Sequence, residues 1–155
     1  MVVEINKWDT VTNTPAYLKA IGEILEKTLP QLKAVEVVPI SAETGFQIPK
    51  LLKTCFQQYA VWNKEISTGA LNRWLESALE IHAPPLVNSR RIKIRYITQK
   101  SVRPPSFILF SNTNDIPDSY IRYLVNSMRD KFKLYGVPIR IKIKKNKNPY
   151  KEAEE

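Results

Sequence analysis

The chain has very few of the residues on which catalytic and metal sites depend. Its 155 residues include one cysteine and one histidine, Cys55 and His82. A single cysteine cannot form an internal disulfide and fits a reducing cytoplasm. So few sulfur and imidazole groups exclude most metal clusters and disfavour catalysis by a Cys–His or Ser–His pair. We interpret His82 as a helix-end residue and Cys55 as a core residue on an apolar helical stripe.

Glycine is scarce, and long apolar runs are absent. None of the four glycines (22, 45, 69 and 136) is followed by lysine, so a phosphate-binding loop G-x-x-x-x-G-K-[ST] with its magnesium ion cannot be built. No run approaches the roughly 20 apolar residues of a membrane span, and Met1 is not followed by signal-peptide features. We therefore expect a cytoplasmic chain without catalytic residues, metal site or membrane contact, which is not an enzyme by itself.

Positive charge is concentrated in the second part of the chain. Residues 1–63 carry six Lys and six Asp or Glu, whereas residues 64–155 carry eighteen Lys or Arg against nine acids. The whole net charge of +9 thus lies behind residue 63, which indicates an anionic partner there. The alternative is a basic surface that is merely solvated. The same change predicts one domain over 1–63, a second over 64–150 and a disordered tail over 151–155.

Hydrophobic periodicity predicts mixed helices and strands, and so an α+β fold. The first domain has the pattern strand, helix, strand, helix of a partial α/β domain, and the second has the pattern α-β-β-α-β. Apolar and basic residues alternate over 90–98 and 139–144. By parity along their strands, Tyr96 and Phe107 point toward a core. Residues 107–110 are apolar on both faces, as a more covered strand would be.

Two loops at the ends of predicted strands indicate recognition of guanine. Asn6-Lys7-Trp8-Asp9 follows one apolar run, and a Ser41-Ala42 loop follows the next. In an N-K-x-D loop the Asp9 carboxylate accepts hydrogen bonds from the guanine N1 and exocyclic amine, a donor pair that adenine lacks. Lys7 would lie along the base and Asn6 would tie the loop to its neighbours. In G domains, the second loop points a backbone N–H at the guanine O6. The alternative is an ordinary strand-to-helix turn with an asparagine cap.

Six cations would share one sheet face if the basic strands pair in one sheet, with helices covering the isoleucine face. These cations are Arg91, Lys93, Arg95, Arg140, Lys142 and Lys144. Because like charges repel, such a face favours a phosphate backbone or an acidic protein surface as its partner. Few aromatic residues remain to stack on bases, since Tyr150 lies in the tail. The pattern therefore favours backbone or shape recognition of RNA over sequence readout.

Several segments together resemble the Der (EngA) family of bacterial ribosome-assembly GTPases. In chain order they are N-K-W-D, P-I-S-A-x-T-G, L-V-N-S-R-R-I-K-I-R-Y-I-T-Q, R-P-P-S-F-I-L-F, S-Y-I-R-Y-L-V-N and K-N-P-Y, and they span residues 1 to about 150. The resemblance implies the end of the second of two tandem G domains, followed by a KH-like domain. Since strand residues begin at Met1, we expect a truncated G domain. The resemblance assigns guanine binding to Asn6, Lys7 and Asp9, with Ser41 and Ala42 completing the pocket.

The resemblance also implies partners. The full-length family member would be a GTPase that binds GTP or GDP with Mg²⁺ and associates with the large ribosomal subunit. Two hypotheses for the basic face stay open: contact with ribosomal RNA, or docking on the G domains of the same protein without RNA contact. We expect a monomer. The G-x-x-G clamp of typical KH domains does not occur in the chain, and Ser89 stands where family members often have glycine.

Overall fold

The chain folds into two compact units, which a computed structural model describes over residues 1–30, 32–87 and 90–145. Unit 1 comprises Met1–Lys64 together with Lys133–Pro138, and unit 2 comprises Glu65–Phe132 and the residues from Ile139 onward. The predicted disordered tail, the K-N-P-Y segment and the expectation about Ser89 lie outside the described residues.

Unit 1 contains a two-stranded parallel sheet and two helices. Strand β1 (Val2–Ile5) pairs with β2 (Glu36–Pro39); α1 (Thr14–Thr28) connects them and α2 (Ile48–Trp62) follows. The side chain of Asn13 caps α1, and a proline occupies the first turn of each helix. The predicted order of strand, helix, strand, helix is confirmed.

The helices of unit 1 leave much of their apolar surface exposed. α1 has no buried residue, and α2 buries only Thr54. The exposed apolar side chains of the two helices include Tyr17, Leu18, Ile24, Leu52, Phe56 and Tyr59. Cys55 is exposed as well, so its interpretation as a core residue was wrong. The physical reason is that two strands offer too little sheet surface to cover two amphipathic helices.

A segment from the far end of the chain completes unit 1. The side-chain amide of Gln58 donates to the backbone carbonyl of Tyr135 at 2.9 Å, and the N–H of Gly136 donates to the carbonyl of Lys33 at 3.0 Å. The amino group of Met1 donates to the carbonyl of Gly136. Gly136 has φ 67°, and a Cβ there would lie 2.9 Å from the Gln58 side chain, so this close approach requires glycine.

Unit 2 contains a three-stranded mixed sheet covered on one face by two helices. After α3 (Thr68–Ile81), the short strands β3 (Leu86–Val87) and β4 (Arg90–Arg91) form a two-stranded antiparallel sheet. Strands β5 (Ile94–Ser101), β6 (Ser106–Ser111) and β7 (Arg140–Lys145) form one sheet in that order, β5–β6 antiparallel and β6–β7 parallel, and α4 (Asp118–Phe132) precedes β7. The predicted α+β class is confirmed.

The core of unit 2 lies between this sheet and the two helices. Phe107, Leu109 and Ser111 of β6 are buried, whereas the residues between them are half-buried. The parallel register places Ile141 and Ile143 of β7 beside the first two. The buried helix residues are Leu71, Trp74, Leu75 and Ala78 of α3 and Tyr120, Leu124, Met128 and Arg129 of α4. β6 is therefore covered on one face and not, as its apolar sequence suggests, on both.

Side-chain hydrogen bonds fix α3 in place. The amide of Asn72 pairs with both backbone groups of Ile97: Oδ1 accepts from the N–H at 3.0 Å, and Nδ2 donates to the carbonyl at 3.2 Å. Because β5 is an edge strand, these bonds cover part of its outer edge. Ser67 caps the start of the helix, and His82 is its C-cap, as predicted.

The predicted strand over 90–98 and the predicted direction of Tyr96 both need correction. The predicted strand over 90–98 is two strands, and the β5–β6 ladder is irregular between Ile94 and Tyr96, so that Arg95 is an extra residue. One inserted residue inverts the faces that follow it. The expectation that Tyr96 points into the core was therefore wrong. Helix α4 ends at Phe132, and the next residue, Lys133, is in the left-handed conformation (φ 55°).

Candidate guanine loops and a candidate nucleic-acid interface

The parallel pairing of β1 and β2 brings the two predicted guanine loops together at the carboxyl ends of the strands. The N–H of Ile40 donates to the carbonyl of Ile5 at 2.8 Å, and the N–H of Trp8 donates to the carbonyl of Ile40 at 3.0 Å. The Asn-Lys-Trp-Asp loop and the Ser-Ala loop therefore lie side by side. This edge is where open α/β sheets bind ligands.

Asn6 joins the two loops. Its Oδ1 accepts hydrogen bonds from the backbone N–H groups of Lys7, at 2.8 Å, and Ala42, at 3.1 Å. The second loop is predicted to point a backbone N–H at the guanine O6, and in this structure the N–H of Ala42 in that loop donates to Asn6.

Of the other predicted guanine-binding residues, Lys7 and Asp9 are exposed and Ser41 is buried. Lys7, in the left-handed conformation (φ 59°), and Asp9, in the 3₁₀ turn Trp8–Thr10, are both exposed. Ser41 is 1% exposed, and its Oγ accepts from the N–H of Thr44 at 3.2 Å. The Asp9 carboxylate is therefore accessible to a base, while Ser41 stabilises the shape of its own loop.

The described part of the chain offers neither a metal centre nor a membrane span. Among residues 1–30, 32–87 and 90–145, no three His, Cys, Asp or Glu side chains are grouped as metal ligands would be. Over the same residues, none of the helices has both the length and the apolar character needed to cross a bilayer.

The face of the unit 2 sheet that is turned away from its helices forms three rows across the strands, which we call the open sheet face. Each row takes one residue from β5, one from β6 and one from β7. The rows are Tyr96–Phe110–Lys144, Thr98–Ile108–Lys142 and Ser101–Ser106–Arg140. Since Phe107 and Leu109 of β6 are buried against the helices, the residues that alternate with them must lie on this opposite face.

Three of the six predicted cations lie on the open sheet face. Arg140, Lys142 and Lys144 are exposed and alternate along β7. A strand rises by about 3.3 Å per residue, so neighbouring cations start roughly 6.6 Å apart along one line. That distance is shorter than the Debye length of about 8 Å at physiological ionic strength, so their repulsion is only partly screened.

The other three predicted cations are exposed on separate segments. Arg91 belongs to β4, which forms a two-stranded sheet with β3; Lys93 lies between β4 and β5; and Arg95 is the extra residue of the bulge. Arg91 lines a cleft of about 490 Å³ together with Asp115 and Lys145. The expectation that all six cations share one sheet face was therefore wrong, because β4 and β5 are not one continuous strand.

The aromatic pair of the open sheet face was missed by reasoning from the sequence. The rings of Tyr96 and Phe110 are stacked, with centroids 4.2 Å apart and planes 15° apart, and Lys144 Nζ lies 6.0 Å from the Phe110 centroid. The alternation of Phe110 with the core residues of β6 was a usable signal. It was overlooked because the whole strand is apolar.

A further cation, Lys100, was also missed. With Arg140, Lys142 and Ser106 it lines a shallow depression of about 240 Å³ at one end of the open sheet face. Lys100 is the extra residue at a second irregularity of β5, before Ser101. The sequence gives no usable signal for its position, because the alternation that points Tyr96 toward a core also places residues 98 and 100 on the core side.

These observations define the class of unit 2, which is a KH-like unit with a row of exposed cations on its sheet. The family described as the KH-domain-like domain of EngA bacterial GTPase enzymes, C-terminal, matches residues 65–144. This chain belongs to that family.

Curated relatives match almost the whole chain. GTPase Der of Bradyrhizobium sp. strain BTAi1 is 44% identical over 151 residues, which cover 97% of this chain and 33% of the relative. GTPase Der of Mesorhizobium japonicum is 44% identical over 150 residues, which cover 96% of this chain and 31% of the relative. The chain thus spans about a third of the length of the curated relatives it matches.

Solved structures include a more distant match. The crystal structure of Era in complex with MgGDPNP and nucleotides 1506–1542 of 16S ribosomal RNA is 19% identical and covers 92% of this chain and 53% of that one. Its TM-score is 0.31, which is too low to support an argument about this chain.

Proposed function

We propose that this chain is the C-terminal portion of a Der-type GTPase that acts in the biogenesis of the large ribosomal subunit, and that unit 2 contacts ribosomal RNA. The observation that carries the proposal is the row of exposed cations Arg140, Lys142 and Lys144 on the open sheet face. In this proposal the full-length protein binds GTP or GDP with Mg²⁺, acts in the cytoplasm and is a monomer.

Phosphate is the partner that this row fits best. Three ammonium or guanidinium groups on one line repel one another, and a polyanion with regularly spaced charges removes that repulsion while releasing its own counterions. Contacts of this kind position the protein on nucleic acid without reading the sequence. Affinity for RNA should therefore fall steeply as salt is added.

Unit 1 contributes guanine recognition to the full-length protein, and this chain alone does not hydrolyse GTP. Asp9 and the two loops joined by Asn6 can select the base. No glycine in the sequence is followed by lysine, so the phosphate-binding loop must come from another part of the full-length protein.

The test is a titration of the chain against a large-subunit ribosomal RNA fragment at several salt concentrations. Each phosphate contact contributes about −0.7 to the slope of log K against log salt for a single strand, so three contacts predict a slope of about −2. Reversal of the three β7 cations to Glu should weaken binding at least tenfold at low salt and flatten the slope.

Two matched variants locate the surface, because each changes the net charge by the same amount. One reverses the cations off the open sheet face, which are Arg91, Lys93 and Arg95. The other reverses three exposed cations on helices α3 and α4, which are Arg73, Arg122 and Lys131. Equal losses of RNA affinity in these two variants and in the β7 variant would mean that only net charge matters. A larger loss of RNA affinity on reversal of Arg91, Lys93 and Arg95 would show that the interface lies on the β4–β5 segment instead.

Absence of RNA binding at low salt would overturn the proposal in favour of docking on the G domains. In that case the separately produced G domains should bind this chain in a nucleotide-dependent manner, and reversal of the β7 cations should abolish that binding.

A further inference from the structure

The open sheet face combines its cations with an exposed aromatic surface. Tyr96 is 37% exposed and stacks on Phe110, which in turn has Lys144 on its other side. Within unit 2 this row therefore carries aromatic and cationic groups in direct succession across the three strands.

We propose that the open sheet face binds single-stranded RNA, with one unpaired base stacked on Tyr96 and the backbone phosphates along β7. The inference rests on the proposed RNA-binding function and deepens it, since it names the kind of RNA and the group that the protein contacts.

The accessible ring surface belongs to Tyr96. One side of Phe110 is covered by Tyr96 and the other is approached by Lys144. β5 is the outer strand of its sheet, so the face of the Tyr96 ring opposite Phe110 points beyond the sheet edge. A base can extend the stack on that side. Bases of a duplex are already stacked on both faces, so the contact requires an unpaired nucleotide.

The cations continue the interface away from the aromatic row. Along β7 they lead from Lys144, beside the aromatic pair, through Lys142 to Arg140, where Lys100 joins them at the shallow depression. An extended strand with its base on Tyr96 would thus place successive phosphates over the adjacent rows. The row that would hold the stacked base, Tyr96–Phe110–Lys144, contains no amide, carboxylate or guanidinium side chain, so the identity of that base should matter little.

The test compares a short single-stranded RNA of mixed sequence with the duplex that it forms with its complement, by fluorescence anisotropy on the full chain. The single strand should bind the wild type more tightly than the duplex. Tyr96→Leu should weaken single-strand binding roughly tenfold, since one base–aromatic stack is removed. The salt slope should stay unchanged, because no phosphate contact is lost, and Tyr96→Phe should retain wild-type affinity.

Tyr59→Leu is the matched control, since Tyr59 of unit 1 is a similarly exposed tyrosine, at 54%, and should leave RNA binding unaffected. A second measurement needs no variant: photocrosslinking of the single strand carrying 5-iodouridine, followed by mass spectrometry, should modify the peptide that contains Tyr96.

The outcomes separate this inference from the function on which it rests. Equal binding of single strand and duplex, with Tyr96→Leu unchanged and crosslinks elsewhere, would overturn the stacking site while RNA binding stands. No binding of either RNA by the wild type at low salt would overturn both.

Discussion

Units 1 and 2 each place two amphipathic helices against a small sheet, but they bury those helices very differently. α1 and α2 together bury one residue, Thr54, whereas α3 and α4 bury four each. In unit 2 both helices share one face of a three-stranded sheet, so their apolar stripes meet in one core. In unit 1 two strands cannot cover both helices. An apolar stripe therefore predicts a helix, while the neighbouring elements decide whether the stripe is buried.

The two units also differ in what they leave exposed. Unit 1 contains an equal number of acidic and basic residues before residue 64 and exposes apolar side chains such as Ile24 and Phe56. Unit 2 closes its core and exposes charge along β7. The first pattern is typical of a surface that another protein element covers, and the second of a surface that a polyanion covers.

The largest expected effect is a difference in the free energy of unfolding when the same substitution, Phe→Ala, is made in each unit. Phe107→Ala removes a ring that is 1% exposed in the core of unit 2, and should lower the free energy of unfolding by about 3–5 kcal/mol. Phe56→Ala removes a ring that is 74% exposed on α2, and should change it by less than about 0.5 kcal/mol. Urea unfolding followed by circular dichroism measures both. A similar loss for Phe56→Ala would show that α2 is covered in solution and would break the comparison.

A smaller effect on stability, and one that depends on pH, comes from Tyr120, which is buried in the core of unit 2. The hydroxyl of Tyr120 donates to the carbonyl of His82 at 2.6 Å, and burial, aided by the nearby Tyr123, raises the pKa of Tyr120 from 10.0 to about 12. Between pH 10 and 12 the unfolded chain loses this proton while the folded chain keeps it. The contribution of Tyr120 to stability is therefore complete below pH 10 and is lost as the pH rises toward 12.

Tyr120→Phe should cost about 1 kcal/mol at neutral pH through the lost hydrogen bond. It should also reduce the decline in stability above pH 10 relative to the wild type, as measured by urea unfolding at a series of pH values. Tyr17→Phe, at an exposed tyrosine of α1, is the control and should reproduce the wild-type pH dependence. An identical pH dependence in all three proteins would mean that the hydroxyl of Tyr120 is solvated.

The smallest expected effect is the response of unit 1 to guanine nucleotide. Charge-assisted hydrogen bonds to Asp9 supply about 1.5–3 kcal/mol, below the roughly 4 kcal/mol of a millimolar ligand. Isothermal titration of the chain with GDP should therefore show no saturable heat. A micromolar dissociation constant that disappears in Asp9→Ala would show that unit 1 is a complete binding site and would remove its main contrast with unit 2.

Local sequence patterns were sufficient for the class of fold, for the order of the elements in unit 1 and for the prediction that two loops of unit 1 lie side by side. Helix caps such as Asn13 and Ser67 act through neighbouring residues, so they can be read from a short stretch of chain. The guanine loops each follow a strand, and parallel strands necessarily bring such loops to one edge.

The composition of the open sheet face could not be predicted in the same way. The extra residue Arg95 turned Tyr96 from the expected core side to the exposed side, where it stacks on Phe110. Nothing in the alternating sequence marks that insertion, because its position is set by the hydrogen bonds that β5 makes with β6.

The sequence by itself determined the helices, the strands, the guanine motif, the basic second half and the family of this chain, because these depend on periodicity, short motifs and composition. Only the tertiary structure decided that the basic cluster divides between β7 and the β4–β5 segment, that the stripe containing Cys55 stays exposed, and that Lys133–Pro138 belongs to unit 1. These facts depend on which distant segments meet and in which register. Burial and strand pairing are properties of pairs of segments, and no single segment encodes its partner.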